Sequence, residues 1–194
     1  MSSLASDNPA GTGAWTVTII GLETPISEEY TFETITLDGT TPVTSTKIWW
    51  RVNRMYVTTG GSNGLNNGTI TCRSSSDNGI IFSTISPTFN QAAYAVYTVP
   101  FNKRMLLKRF LSSIVRSNGS LGSASVSILA RQNVSDAVYR TIRTFNLQTG
   151  SILDTTMLGG ITFNGGTDII IRIGNVSDSN TSCQAELEYL LLRQ

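Results

Sequence analysis

The chain has 194 residues, a formal net charge of +1, only 14% charged residues and no histidine. An average soluble domain carries about 25% charge, so this surface is hydrogen-bonding but weakly charged, with no global attraction to nucleic acid. Without an imidazole no Ser-His-Asp or Cys-His relay can be built, and no apolar stretch reaches the roughly 20 residues of a membrane-spanning helix.

This length suits one domain, or one domain with an arm, able to bury roughly 70% of its unfolded surface. Residues 1–14 (MSSLASDNPAGTGA) are small and polar, with Pro9 and two glycines. They lack the basic start and apolar core of a secretory signal. They read as a flexible N-terminal arm ahead of a β-domain over residues 15–194.

From Trp15 onward, short stretches alternate apolar and polar residues and are broken by Gly, Asn or Pro. Successive strand side chains point to opposite faces, so this spacing makes one wall apolar and leaves the other to water. Trp15 to Leu22 is a first strand, with Trp15, Val17 and Ile19 on one face. Tyr30 to Leu37 is a second, and the change of apolar parity between Phe32 and Ile35 predicts a bulge or a strand shared between two sheets. Asp38-Gly39 ends it with turn chemistry. Lys47 to Thr58 reads as the strongest strand, with Ile48, Trp50 and Val52 inward and Trp49, Arg51 and Asn53 outward. Gly60 to Gly68 is a loop, followed by strands at Thr69 to Arg73, Gly79 to Ile85 and Ala93 to Val99.

Lys103 to Arg116 fits two periodicities. Met105, Leu106, Leu107, Phe110, Leu111, Ile114 and Val115 suit one helical face. They also suit a strand with Leu106, Phe110 and Ile114 on one side and Met105, Leu107, Leu111 and Val115 on the other. The strand is preferred because Pro100 and the Asn102-Lys103 turn resemble a hairpin corner. Strands then follow at Ser123 to Ala130, Ala137 to Phe145, Asp168 to Ile173 and Cys183 to Leu192, with Ser151 to Leu158 an irregular crossing. About ten strands without convincing helices imply an antiparallel sandwich or barrel.

The inventory for chemistry is poor. Glu28 and Glu29 are adjacent and point opposite ways on a strand, while Glu186 and Glu188 share the wet side of the last one. A calcium loop's Asp spacing is missing, and the Gly-rich loops lack the Lys and following helix of a phosphate site. Cys72 and Cys183 have no neighbouring ligand, and read as two separately buried thiols rather than a disulfide. No catalytic site, metal site or cofactor is expected.

Two features carry binding potential. Lys103, Arg104, Lys108, Arg109 and Arg116 place five cations within fourteen residues. They suit contact with an acidic partner surface, or simply decorate an exposed strand and deter edge pairing. Trp49, outward beside Arg51, would stack on a sugar, a base or another subunit, unless a loop or second sheet covers it.

Three blocks carry a resemblance. Thr34 to Lys47 (TITLDGTTPVTSTK), Arg51 to Thr58 (RVNRMYVT) leading through Gly-Ser-Asn turns into Gly68 to Thr71, and Ala95 to Pro100 (AVYTVP) resemble strand-and-turn patterns in structural proteins of tailed phages, especially marine ones. Where those proteins continue with Ala-Gly-Lys, this chain has Phe101-Asn102-Lys103. The resemblance spans most of the chain from about residue 15 and implies a virion-associated, jelly-roll-like β-sandwich.

The resulting expectation is an all-β, non-enzymatic virion protein, assembled in the host cytoplasm as a homo-oligomer. Capsid decoration or cement is the first choice, with the major capsid protein or other virion proteins as partners and no role for membrane or nucleic acid. The arm, the Gly60 to Gly68 loop and the basic strand are its expected contacts. The alternative is a receptor- or carbohydrate-binding module of a tail or head fibre. A glycan lyase or hydrolase ranks last, because acid–base groups are so few.

Overall fold

Period-two stretches bury their apolar wall only by pairing edge to edge and stacking face to face. The computed structural model of the chain describes residues 1–77, 79–92, 96–116, 122–132, 138–177 and 181–193. Among these residues it is all-β, with twelve strands in antiparallel sheets and no helix. The chain divides into two compact units, Met1–Tyr94 and Ala95–Gln194, where its length had suggested one domain behind an arm.

The first unit contains β1 (Ala14–Leu22), β2 (Thr31–Thr36) and β3 (Arg51–Gly60) in the order β2-β1-β3, and the hairpin β4 (Ile70–Arg73) with β5 (Ile81–Ile85). Val17 and Ile19 of β1, Val52 and Met55 of β3, Ile70 of β4 and Ile85 of β5 share one core. In β2 the residues alternate without a register shift, so the expected bulge is absent and Phe32 simply faces outward, 68% exposed. Gly21 marks a close approach of β1 to β3. A Cβ there would lie 1.9 Å from the Arg51 carbonyl oxygen, a contact that only glycine avoids.

Residues 1–14 are not a free arm. Asp7 is fully buried and its carboxylate accepts hydrogen bonds from the backbone N–H groups of Ala14, Asn67 and Gly68 and from the Ser2 hydroxyl. Ser2 N–H donates to the Gly39 carbonyl, Ser3 N–H to that of Thr69, and Gly61 N–H to that of Gly13. Low hydrophobicity had argued for disorder; the buried carboxylate instead gathers otherwise unpaired amides of two polar segments. The Gly60 to Gly68 loop is thereby engaged with residues 2–13 of its own chain.

The second unit stacks two sheets. One has the order β10-β7-β12, from β7 (Lys103–Arg116), β10 (Ile152–Phe163) and β12 (Thr181–Arg193). The other has the order β6-β11-β8-β9, from β6 (Val96–Thr98), β8 (Ser123–Gln132), β9 (Arg140–Gln148) and β11 (Thr167–Gly174). Met105, Leu107, Phe110 and Ile114 of β7 meet Val126 and Ile128 of β8, Leu147 of β9 and Ile169 of β11 in a common core. A jelly roll has eight strands in two Greek keys. This three-on-four order supports a sandwich but not that finer connectivity.

β7 explains its own double periodicity. The β12 register steps from Glu188 opposite Arg109 to Tyr189 opposite Leu107, leaving Lys108 as an extra residue. This bulge brings Met105 and Leu107 onto the same buried side as Phe110 and Ile114, replacing the two-sided split read from strict alternation. The step of three from Leu107 to Phe110 imitates a helical repeat. On its other side, β10 jumps from Thr156 to Ile161 at the same level. The expected irregular crossing is therefore a strand with a wide bulge. Gly159 and Gly160 sit there at φ of 78° and 71°, a region open to glycine at little cost.

Candidate functional site

The outer face of the β10-β7-β12 sheet follows from that register. With Met105, Leu107, Phe110 and Ile114 turned inward, Arg104, Leu106, Arg109, Leu111 and Val115 turn outward. Arg109 lies between two carboxylates. Its Nε donates to Asp154 Oδ1 at 2.7 Å and its Nη1 lies 3.5 Å from Glu188 Oε2. The guanidinium holds the Asp154 carboxyl below its ordinary value, and the two carboxylates raise that of Arg109. Such solvent-exposed pairs add little stability; here they fix the orientation of three charges on an open surface.

The cations of β7 do not form one uniform basic strip. Arg109 is neutralised, Lys108 occupies the bulge, Arg104 is exposed opposite Leu192, and Lys103 pairs in register with Arg193. Arg116 pairs through its backbone with Thr181, and its side chain lies outside the described residues. Apolar groups surround this centre instead. Val115 is 63% exposed, Ile152 77%, Leu190 52%, and Leu158, at the two-glycine bulge, 97%. Sequence periodicity missed this face because parity in β7 inverts past the bulge. In β12 Cys183, Leu187 and Tyr189 pack on the core, while Ala185 and Leu191, of the same parity, are exposed.

The first unit contains a cleft of about 680 Å³ between the β2-β1-β3 sheet and the β4-β5 hairpin. The chain over residues 42–49 forms part of its wall. Here the strand expected from Lys47 starts only at Arg51, so the two-residue alternation does not apply to residues 47–50. Ile48, expected inside, is 83% exposed. Trp49, expected outside, packs against the core and lines the cleft. Arg51 stacks on Trp50 rather than Trp49, with its guanidinium carbon 4.5 Å from the ring centroid.

Glu33 of β2 is what holds this wall. Its carboxylate accepts from the Ser45 hydroxyl, from Thr46 N–H and hydroxyl at 2.8 Å each, and from Lys47 N–H at 3.4 Å. Ser45 Oγ in turn accepts from Trp49 Nε1 at 2.8 Å, so one carboxylate orients the indole through one hydroxyl. Burial alone would raise the Glu33 carboxyl, but the bonds from Ser45, Thr46 and Lys47 outweigh it and hold it below its ordinary value. The clamp is therefore complete above the ordinary carboxylate range and is lost as pH falls through the depressed value. In a protein whose other two tryptophans are replaced by Phe, Glu33→Ala is expected to shift Trp49 emission to the red. Acidification of the Glu33 protein should produce the same shift, and unchanged emission in both cases would refute the clamp.

Cys72 lines the same cleft, and burial pushes its thiol up. Both cysteines are free, as expected, but half-buried rather than buried. Among the described residues no group of three or more Cys, Asp or Glu side chains is placed to hold a metal ion.

Comparison with known proteins finds no matching family model, no matching curated protein and no matching solved structure.

Proposed function

We propose that this chain is a non-enzymatic structural protein of a phage particle, acting as a capsid decoration or cement protein whose contacts run through the outer face of the β10-β7-β12 sheet. The observation that carries this reading is the exposure of Val115, Ile152, Leu158 and Leu190 around the ion-paired Arg109–Asp154–Glu188 centre. Large apolar side chains grouped on one face cost free energy in water, and they characterise surfaces that meet another protein. The polar centre pairs its single guanidinium with two carboxylates, so it adds orientation and a negative charge that a donor or cation on the partner surface would meet.

The mechanism is passive. Each copy covers apolar area at a joint between coat subunits, and many symmetric copies multiply a modest single contact through avidity. Residues 1–14 and the Gly60 to Gly68 loop are hydrogen-bonded to each other, so the sheet face replaces them as the leading contact element.

Particles assembled with the Val115→Glu, Ile152→Glu double variant are expected to lose most of the protein, with the variant itself still folded by circular dichroism. Imaging of wild-type particles should place it in fixed copy number on the head. Absence of the wild-type chain from purified particles, or full occupancy by the folded variant, would overturn the proposal.

A further inference from the structure

The cleft of the first unit plays no part in that contact, and its lining is chemically divided. Its floor is apolar, built from Val17, Ile19, Ile35, Met55 and Phe82 of four strands. The space of about 680 Å³ falls within the range of small-molecule sites. Its mouth is polar and carries a cation. Arg73, the last residue of β4, is half-buried and makes no hydrogen bond or ion pair with any described residue. The second side-chain cation of the lining, Lys47, is bound to Glu23. No Asp or Glu lines the cleft among the described residues.

From this juxtaposition we propose that the cleft binds a monomeric single-chain amphiphile, its hydrocarbon tail on the aliphatic floor and its anionic head on Arg73. Among the described residues no acceptor uses the Arg73 guanidinium, so its charge-assisted donors are available to a ligand. The tail gains by leaving water at every methylene. Trp49 is already oriented by Ser45 and Glu33, so little side-chain freedom remains to be lost on binding.

Other occupants fit less well. The floor is made of side chains on sheet faces, so it offers few backbone partners to a peptide, whose buried amides would go unpaired. A sugar would pair with the Ser and Thr hydroxyls of the rim but would leave the apolar floor uncovered, whereas an acyl chain covers it. The assignment is independent of the virion reading and stands or falls without it.

Cys72 lies in the cleft wall and reports occupancy directly. In a full-length Cys183→Ser protein it is the single thiol, and its rate of modification by a bulky maleimide is measured with decanoate, decanol or decyltrimethylammonium, each kept below micelle formation. Decanoate is expected to slow the reaction saturably at one molecule per chain. Arg73→Gln should weaken decanoate binding about tenfold, as expected for loss of a charge-assisted contact, leave decanol unchanged, and be rescued by Arg73→Lys. Ile35→Phe, which fills the floor, should weaken both decanoate and decanol while near-ultraviolet circular dichroism stays native. The proposal fails if decanoate gives no saturable protection, if the ammonium compound protects equally well, or if Arg73→Gln changes nothing. Protection by an apolar decapeptide but not by decanoate also overturns it, in favour of a peptide groove.

Discussion

Phe110→Ala is expected to destabilise the second unit by about 3–5 kcal/mol, the range for removing a large aromatic from a close-packed core. Phe110 is fully buried and stacks on Phe145 with ring centroids 5.1 Å apart. It is also the first inward residue after the Lys108 bulge, which ties the sheet of β7 to the sheet of β9. A small domain has only about 5–15 kcal/mol of total stability, so the variant should unfold at much lower urea concentration. The check is urea unfolding followed by near-ultraviolet circular dichroism, which isolates aromatic packing. A loss below about 1 kcal/mol, the usual size of a surface substitution effect or little more, would mean that this ring is not central to the core.

Asp7→Ala is expected to cost the first unit about 2–4 kcal/mol, since a buried carboxylate accepting several bonds is removed and three backbone N–H groups lose their acceptor. Burial by itself raises the Asp7 carboxyl, but the hydrogen bonds from Ser2, Asn67, Gly68 and Ala14 outweigh it and hold the group below 3.8. A group depressed in the folded state stabilises fully above its unfolded value and ceases to do so as pH falls through its folded value. The wild-type chain should therefore lose stability as pH drops below about 4, and part of that slope should vanish in Asp7→Asn. Parallel acid titrations of the two proteins, read by tryptophan emission, make the comparison. Identical slopes would show that the Asp7 cluster does not couple to folding.

Legibility of the fold varied with how regular the local backbone is. The strands at residues 14–22, 123–132 and 167–174 were readable because Val17 and Ile19 in the first unit, and Ala124, Val126, Ile128 and Ile169 in the second, lie at the inward parity against the core of their own unit. Both β7 and β10 were obscured at one level, where one extra residue in β7 and the four residues 157–160 in β10 break parity. Trp49 was read as outward for a related reason. Alternation was applied to residues 47–50, which lie outside β3 and take their position from Glu33 and Ser45. Nothing in a local window marks Glu33 as the clamp, because its partners lie 12–14 residues away. The N-terminal segment shows the same gap over a greater distance, since Asp7 meets its amide partners at positions 67 and 68.

What the amino-acid order determined by itself is the all-β class, the absence of an imidazole relay and the places where strands must turn, because side-chain period, residue inventory and glycine or proline chemistry are local properties. The tertiary structure alone decided that there are two units, that residues 1–14 are engaged rather than free, that Arg109 is neutralised and that Trp49 faces a cleft. Each of these depends on groups distant in sequence meeting as partners, and desolvation with hydrogen-bond geometry, rather than periodicity, selects those partners.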